Sequence, residues 1–318
     1  MRAVAIDVER QSLVQRELPD PVPGEGELLV SVIASGVNRA DLLQRKGAYE
    51  QAAFPKGEVP VAGMEAAGEV VAVGAGVTGF ARGDRVMGIC AGGCAELALL
   101  DHRLALPVPD EVDWVAAGAI PLGLMTEYDA LVNAAGLRPG ETVLISGASS
   151  GVGLMGVQIA RALGAGRVLA TVRSEASRAA VLDQGADEVL TSGDLPAADV
   201  VIDHVGRPAF TGLLACLKPE GRLVSVGRLG GRATELDLNL LAKNRLRLIG
   251  VTFRTRTRAE CARIAADAWS TLGDDVRTGL IRPVIARTFP LDEALTAQDL
   301  LRGERPPGKI VVTIRQER

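Results

Sequence analysis

Along residues 1–120 the apolar positions fall in short runs, not in helical stripes. Runs at 4–8, 28–34, 69–73, 85–89 and 96–100 have the length of strands, and turn-forming clusters such as Pro19-Asp20-Pro21-Val22-Pro23-Gly24 and Gly74-Ala75-Gly76 separate them. This pattern predicts a β-rich unit with short helices at 39–45 and 114–119. From residue 142 the rhythm changes to strand and helix in alternation. Strands are expected at 142–146, 167–172, 188–190, 199–203, 222–226 and 247–252, and helices at 152–163, 176–184, 208–217 and 238–243. Six strands with helical crossovers make a parallel, doubly wound sheet. A helix at 258–272, an extended stretch at 282–289, a helix at 291–301 and a strand at 308–314 come too late for that sheet. They are expected to return to the β-rich first unit. No repeat, low-complexity tract or long polar linker interrupts the pattern.

Composition narrows the function. A chain of 318 residues sustains two cores. Its 35 Lys and Arg against 39 Asp and Glu leave a net charge of −4, with no surplus to draw it to nucleic acid or an anionic membrane. Aromatic content of 3% argues against a base-stacking surface. No apolar run has transmembrane length, and Met1-Arg2-Ala3-Val4-Ala5-Ile6-Asp7 reads as a strand, not a signal peptide, so a cytoplasmic enzyme is expected. Cys90, Cys94, Cys216 and Cys261 are too few and scattered for a disulfide framework. Cys90 and Cys94 also lack two further ligands at metal-site spacing.

The chemistry concentrates in one turn. Val143-Leu144-Ile145-Ser146 breaks into Gly147-Ala148-Ser149-Ser150-Gly151-Val152-Gly153-Leu154-Met155-Gly156, which opens a helix. Such a turn lets backbone N–H groups approach a pyrophosphate, and the helix N-terminus adds partial positive charge. Gly151-x-Gly153-x-x-Gly156 fits the general dinucleotide fingerprint, and Gly147-x-x-x-Gly151-x-Gly153 fits the short-chain dehydrogenase turn as well. The turn is central, not N-terminal, and neither Tyr49 nor Tyr128 has a Lys four residues on; Ala53 and Val132 stand there. The short-chain reading fails.

Pro23-Gly24-Glu25-Gly26-Glu27, Gly63-x-Glu65-x-x-Gly68, Gly83-Asp84-Arg85-Val86, Gly185-Ala186-Asp187 and Gly308-Lys309-Ile310-Val311 jointly resemble the medium-chain dehydrogenase/reductase superfamily over essentially the whole chain. Zinc-dependent members carry Cys in a Ser-Gly-Val-Cys segment and His in Gly-His-Glu. Here Ser35-Gly36-Val37 is followed by Asn38, and Met64 stands between Gly63 and Glu65. Neither replaces thiolate or imidazole on zinc, so no metal is expected. The stretch Asn38-Arg39-Ala40-Asp41-Leu42-Leu43-Gln44-Arg45-Lys46-Gly47-Ala48-Tyr49 is similar to the zinc-independent quinone oxidoreductases, the ζ-crystallin type. The resemblance implies an α/β fold with a GroES-like catalytic domain over 1–122 and 254–318 and a Rossmann NADPH-binding domain over 123–253. It further implies NADPH-dependent quinone reduction and a homodimer, for which residues 247–252 offer an open sheet edge.

Within that frame each site residue has an expected role. Val172 ends the second strand of the sheet, where an NAD enzyme carries an acid, and Arg173 and Ser174 follow. Arginine and hydroxyl donors suit a 2′-phosphate, so the cofactor is read as NADPH, with Glu175 the residue that argues against it. Ser150, Gly151, Val152 and Gly153 face the pyrophosphate, and Gly227, Leu229 and Phe253 follow strand ends where ligands bind. Thr126 and Lys309 match cofactor-contacting positions of the family. Tyr49 is the candidate to contact or protonate the acceptor oxygen, and Asn38 to hydrogen-bond the acceptor or the ribose. His102 and His204 are expected to be structural or surface residues. Without a metal such a site suits quinones or activated enones; the alternatives are an enoyl (thio)ester reductase and a non-catalytic NADPH-binding protein.

Overall fold

The computed structural model describes residues 1–49, 59–191, 193–228, 230–303 and 306–315. The chain divides into two compact units, residues 1–122 with 253–318, and residues 123–252.

The first unit opens with β1 (Arg2–Asp7), β2 (Ser12–Glu17), β3 (Glu27–Val37), α1 (Arg39–Gln44), β4 (Glu65–Val73), β5 (Arg85–Ile89), β6 (Leu97–Asp101), β7 (Ala105–Pro107) and α2 (Trp114–Ala117). Two of these strands, β2 and β7, have no counterpart in the apolar pattern. Ser12–Glu17 carries only two apolar residues and exists because it completes an antiparallel ladder with β1. Ala105–Pro107 is a three-residue edge paired with β5. Helix α3 (Pro121–Tyr128), continued by a π-helical turn at Asp129–Ala134, is also unmarked by periodicity. Its residues are buried almost all round, which removes the amphipathic stripe.

The second unit holds β8 (Thr142–Ser146), α4 (Gly151–Ala162), β9 (Arg167–Thr171), α5 (Arg178–Leu182), β10 (Glu188–Leu190), β11 (Ala198–Asp203), α6 (Phe210–Ala215), β12 (Leu217–Ser225), α7 (Leu238–Lys243) and β13 (Arg247–Gly250). The strands pair in parallel in the order β10-β9-β8-β11-β12-β13. This is the doubly wound order, with β8 and the turn after it at the centre. Val143, Leu144 and Ile145 are fully buried there, as strands covered on both faces must be. The helix expected over 176–184 is a short 3-10 turn at Glu175–Ser177 followed by α5.

The chain then forms α8 (Arg258–Arg277), β14 (Ile285–Pro290), α9 (Ala294–Leu300) and β15 (Lys309–Thr313). Helix α8 starts on a capping box, in which Thr257 and Glu260 satisfy each other's backbone N–H, and runs one turn past the expected end because Leu272, Gly273 and Val276 continue its buried face. Strands β14 and β15 rejoin the first unit in a sheet of order β14-β15-β3-β4-β5-β7, with β6 paired to β3. Lys309 thereby enters the interior beside the end of β3, where Ile310 pairs with Val37.

Candidate active site

The turn after β8 is built by its own residues. Gly147 has φ +71°, a left-handed conformation that glycine adopts without steric cost. The N–H of Ala148 donates to the Thr171 carbonyl at 2.9 Å and ties the turn to β9. Ser150 caps α4: its Oγ accepts from the N–H of Gly153 and donates to the Gly147 carbonyl, both at 3.0 Å. At Gly153 a Cβ would sit 2.8 Å from Ala148 Cα and from the Gly147 oxygen, so only glycine lets the helix close on the loop. Ser150, Gly151, Val152 and Gly153 thus make a helix N-terminus whose first amides have no intrahelical acceptor, a cradle suited to a pyrophosphate.

At the end of β9, Val172 is buried while Arg173 and Ser174 are exposed. The Glu175 carboxylate lies 3.7 Å from the Arg178 guanidinium, and Ser174 Oγ lies 3.4 Å from Ser177 Oγ. The other candidates of the second unit are Thr126, half-buried on α3, and Gly227, whose N–H donates to the Asp203 carbonyl at 3.0 Å just beyond β12. Leu229 lies outside the described residues.

In the first unit the ring of half-buried Tyr49 has the Arg254 guanidinium 5.2 Å from its centroid. Phe253 is buried, with the Arg256 guanidinium 6.0 Å from its ring. Deeper in this unit is a polar cluster. Glu65, with no exposed surface, receives the Lys309 ammonium on Oε1 at 2.6 Å, the Asn38 amide on Oε1 at 2.8 Å and the Leu122 N–H on Oε2 at 2.8 Å. Lys309, 4% exposed, also donates to Asn38 Oδ1 at 2.6 Å. Asn38 completes its amide by donating to the Gly36 carbonyl at 3.1 Å. The Asn38 backbone N–H donates to Asp41 Oδ2 at 2.6 Å. Burial pushes the Asp41 carboxyl up to about 7, against the opposing pull of that N–H and of Lys309.

Chemically, this is a cation site filled by the protein's own ammonium. Asn38 and fully buried Met64 stand at the two positions read for zinc ligands. Burial drives the Cys90 and Cys94 thiols upward, Cys94 to about 12, so both rest as neutral thiols. Among the described residues no group of three or more His, Cys, Asp or Glu is arranged to hold a metal ion. The sequence points Lys309 at the cofactor and Asn38 at the acceptor or the ribose; in the structure both side chains bond Glu65 and each other, and Asn38 also bonds the Gly36 carbonyl. Glu65 and Asp41 were read only as motif letters. Nothing local in the sequence signals the cluster, since Lys309 lies 271 positions from Asn38.

Comparisons with known proteins agree with this architecture. The sequence matches the family model for an alcohol dehydrogenase GroES-like domain over residues 24–137 and that for a zinc-binding dehydrogenase over residues 151–268. It is 32% identical to a quinone oxidoreductase of Lama guanicoe, over 95% of this chain and 93% of the relative. It is also 32% identical to an acryloyl-coenzyme A reductase of Metallosphaera sedula, over 98% and 100%. The quinone oxidoreductase structure from Thermus thermophilus superposes with a TM-score of 0.85 at 30% identity, covering 99% of this chain and 100% of that one. With its GroES-like and Rossmann architecture and full-length kinship to quinone oxidoreductases, the chain belongs to the medium-chain dehydrogenase/reductase superfamily and is an oxidoreductase that uses a nicotinamide nucleotide.

Proposed function

We propose that the protein is a zinc-independent, NADPH-dependent reductase that transfers hydride to quinones or activated enones. The observation that carries the reading is the Lys309–Glu65–Asn38 cluster, which puts an internal ammonium and an amide beside the carboxylate of the Gly63-Met64-Glu65 motif. A site of that kind polarises a simple ketone or alcohol weakly compared with a metal ion. It suits acceptors that are already electrophilic, and the protein's part is then orientation and hydrogen bonding. NADPH supplies the hydride, the amides of Gly151 and Val152 hold its pyrophosphate while Ser150 and Gly153 shape the turn, and Arg173 and Ser174 meet its 2′-phosphate. Tyr49 contacts and protonates the acceptor oxygen. The preference for NADPH is supported by buried Val172 at the end of β9, and the Thermus thermophilus relative is described in complex with NADPH.

The acryloyl-coenzyme A reductase relative favours a second reading, reduction of an enoyl thioester. Steady-state NADPH oxidation with 1,4-benzoquinone, 9,10-phenanthrenequinone and crotonyl thioester separates the two. Turnover of both quinones well above that of the thioester is the expected result. The reverse ranking makes the protein an enoyl reductase, and tight NADPH binding without any turnover makes it a non-catalytic binder. No helix among the described residues is long and apolar enough to cross a membrane. Strand β13, paired among the described residues on one side only and with Leu248 exposed, offers a second copy of the chain an edge to continue the sheet, which supports a homodimer.

A further inference from the structure

In the second unit, His204 and Glu127 form a buried pair that the proposed chemistry does not use. His204, directly after β11, is 6% exposed, and Glu127 on α3 has no exposed surface. Their facing atoms, Nε2 and Oε1, lie 3.1 Å apart. Burial works against a protonated imidazole here, but the charge and hydrogen bonding of Glu127 and the charge of Asp203 outweigh it and raise the His204 pKa above its ordinary value.

The location gives the pair its meaning. A Cβ on Gly156 would lie 2.5 Å from Glu127 Oε2, so the carboxylate rests on the backbone of α4. A Cβ on Gly147 would lie 3.6 Å from His204 Cβ, so the histidine rests on the phosphate-binding turn. Glu127 is also the chain neighbour of Thr126. The pair therefore joins the helix of Thr126, the cradle helix and the end of β11, and on two of those sides its neighbour is glycine, with no side chain to absorb a shift. The charged groups facing His204 are Glu127 from α3 and Asp203 from β11, the latter fixed by the backbone N–H groups of Val205 and Gly206 at 2.9 and 3.1 Å.

From this junction we infer that His204 and Glu127 are positioning residues for the nicotinamide nucleotide, and that nucleotide binding is linked to protonation of His204. With His204 protonated, the Glu127 charge is matched and the cradle keeps its geometry. Loss of the proton leaves a buried carboxylate without its cation against α4, and the strain passes to the turn. A bound pyrophosphate adds negative charge and favours the protonated pair, so binding takes up protons. The sign follows: affinity is greatest at the acid end and falls as pH rises through the His204 titration.

The test is the dissociation constant of NADPH for the intact protein between pH 7 and 9, a range in which the nucleotide's phosphates stay ionised. Expected is a weakening of about tenfold across that range, the size of an ordinary coupling between two sites. Calorimetry in buffers of different ionisation heat should show proton uptake on binding. Glu127→Gln and His204→Gln should abolish the pH slope and the uptake, raising KM for NADPH more than they lower kcat. A flat wild-type profile without proton uptake overturns the inference, and that result needs no variant to fold. So does a slope retained in both variants, or variants that lower only the melting temperature.

Discussion

Replacing Lys309 with methionine is expected to lower the unfolding free energy by about 3–5 kcal/mol, the usual cost of stripping a buried charge of its partner. Methionine fills much the same volume as the lysine stem, so packing contributes little to the loss. The damage is electrostatic: Glu65 keeps its place with no exposed surface but loses the ammonium at 2.6 Å, and Asn38 Oδ1 loses its donor. The double variant Lys309→Met with Glu65→Gln should recover much of the loss, because removing both charges abolishes the unmatched one. Chemical denaturation checks both. A single variant within about 1 kcal/mol of wild type would show that the cluster contributes far less than a buried pair should.

The second large effect concerns cofactor choice. Arg173→Glu should lower kcat/KM for NADPH by about a hundredfold, close to 3 kcal/mol for losing charge-assisted hydrogen bonds to a phosphate and gaining a repulsive charge. NADH has no 2′-phosphate, so its kcat/KM should change little. Arg173 is exposed at the end of β9, and the nearby carboxylate of Glu175 is already turned to Arg178 at 3.7 Å. Equal losses with both nucleotides, or none with either, would remove Arg173 from the recognition of the phosphate.

Local grammar made much of this fold readable. Residues 142–146 have strand letters on both sides of the pleat, the next residues are turn formers, and Ser150 is a natural cap, so β8, the turn and α4 declare themselves. Strands 188–190 and 85–89 are bounded by glycine and other turn-forming residues and lie where the letters put them. The failures are equally physical. Helix α3 is buried all round and so shows no stripe, and β2 is a polar strand that its partner β1 recruits. The site was legible as letters and not as contacts. Asn38 and Met64 mark the missing zinc ligands in the sequence, but Lys309 and Glu65 meet only because β15 is laid antiparallel against β3. His204 and Glu127 likewise approach only through the packing of α3 beside the sheet, and their partnership has no sequence signature.

In the proposed reaction the ammonium–carboxylate–amide cluster takes the place of a catalytic metal. Its most direct measurement is NADPH oxidation with 1,4-benzoquinone by protein dialysed exhaustively against a strong chelator, before and after adding zinc. Undiminished turnover after chelation, with no gain on adding zinc, is the predicted result. Loss of turnover that stoichiometric zinc restores would contradict it.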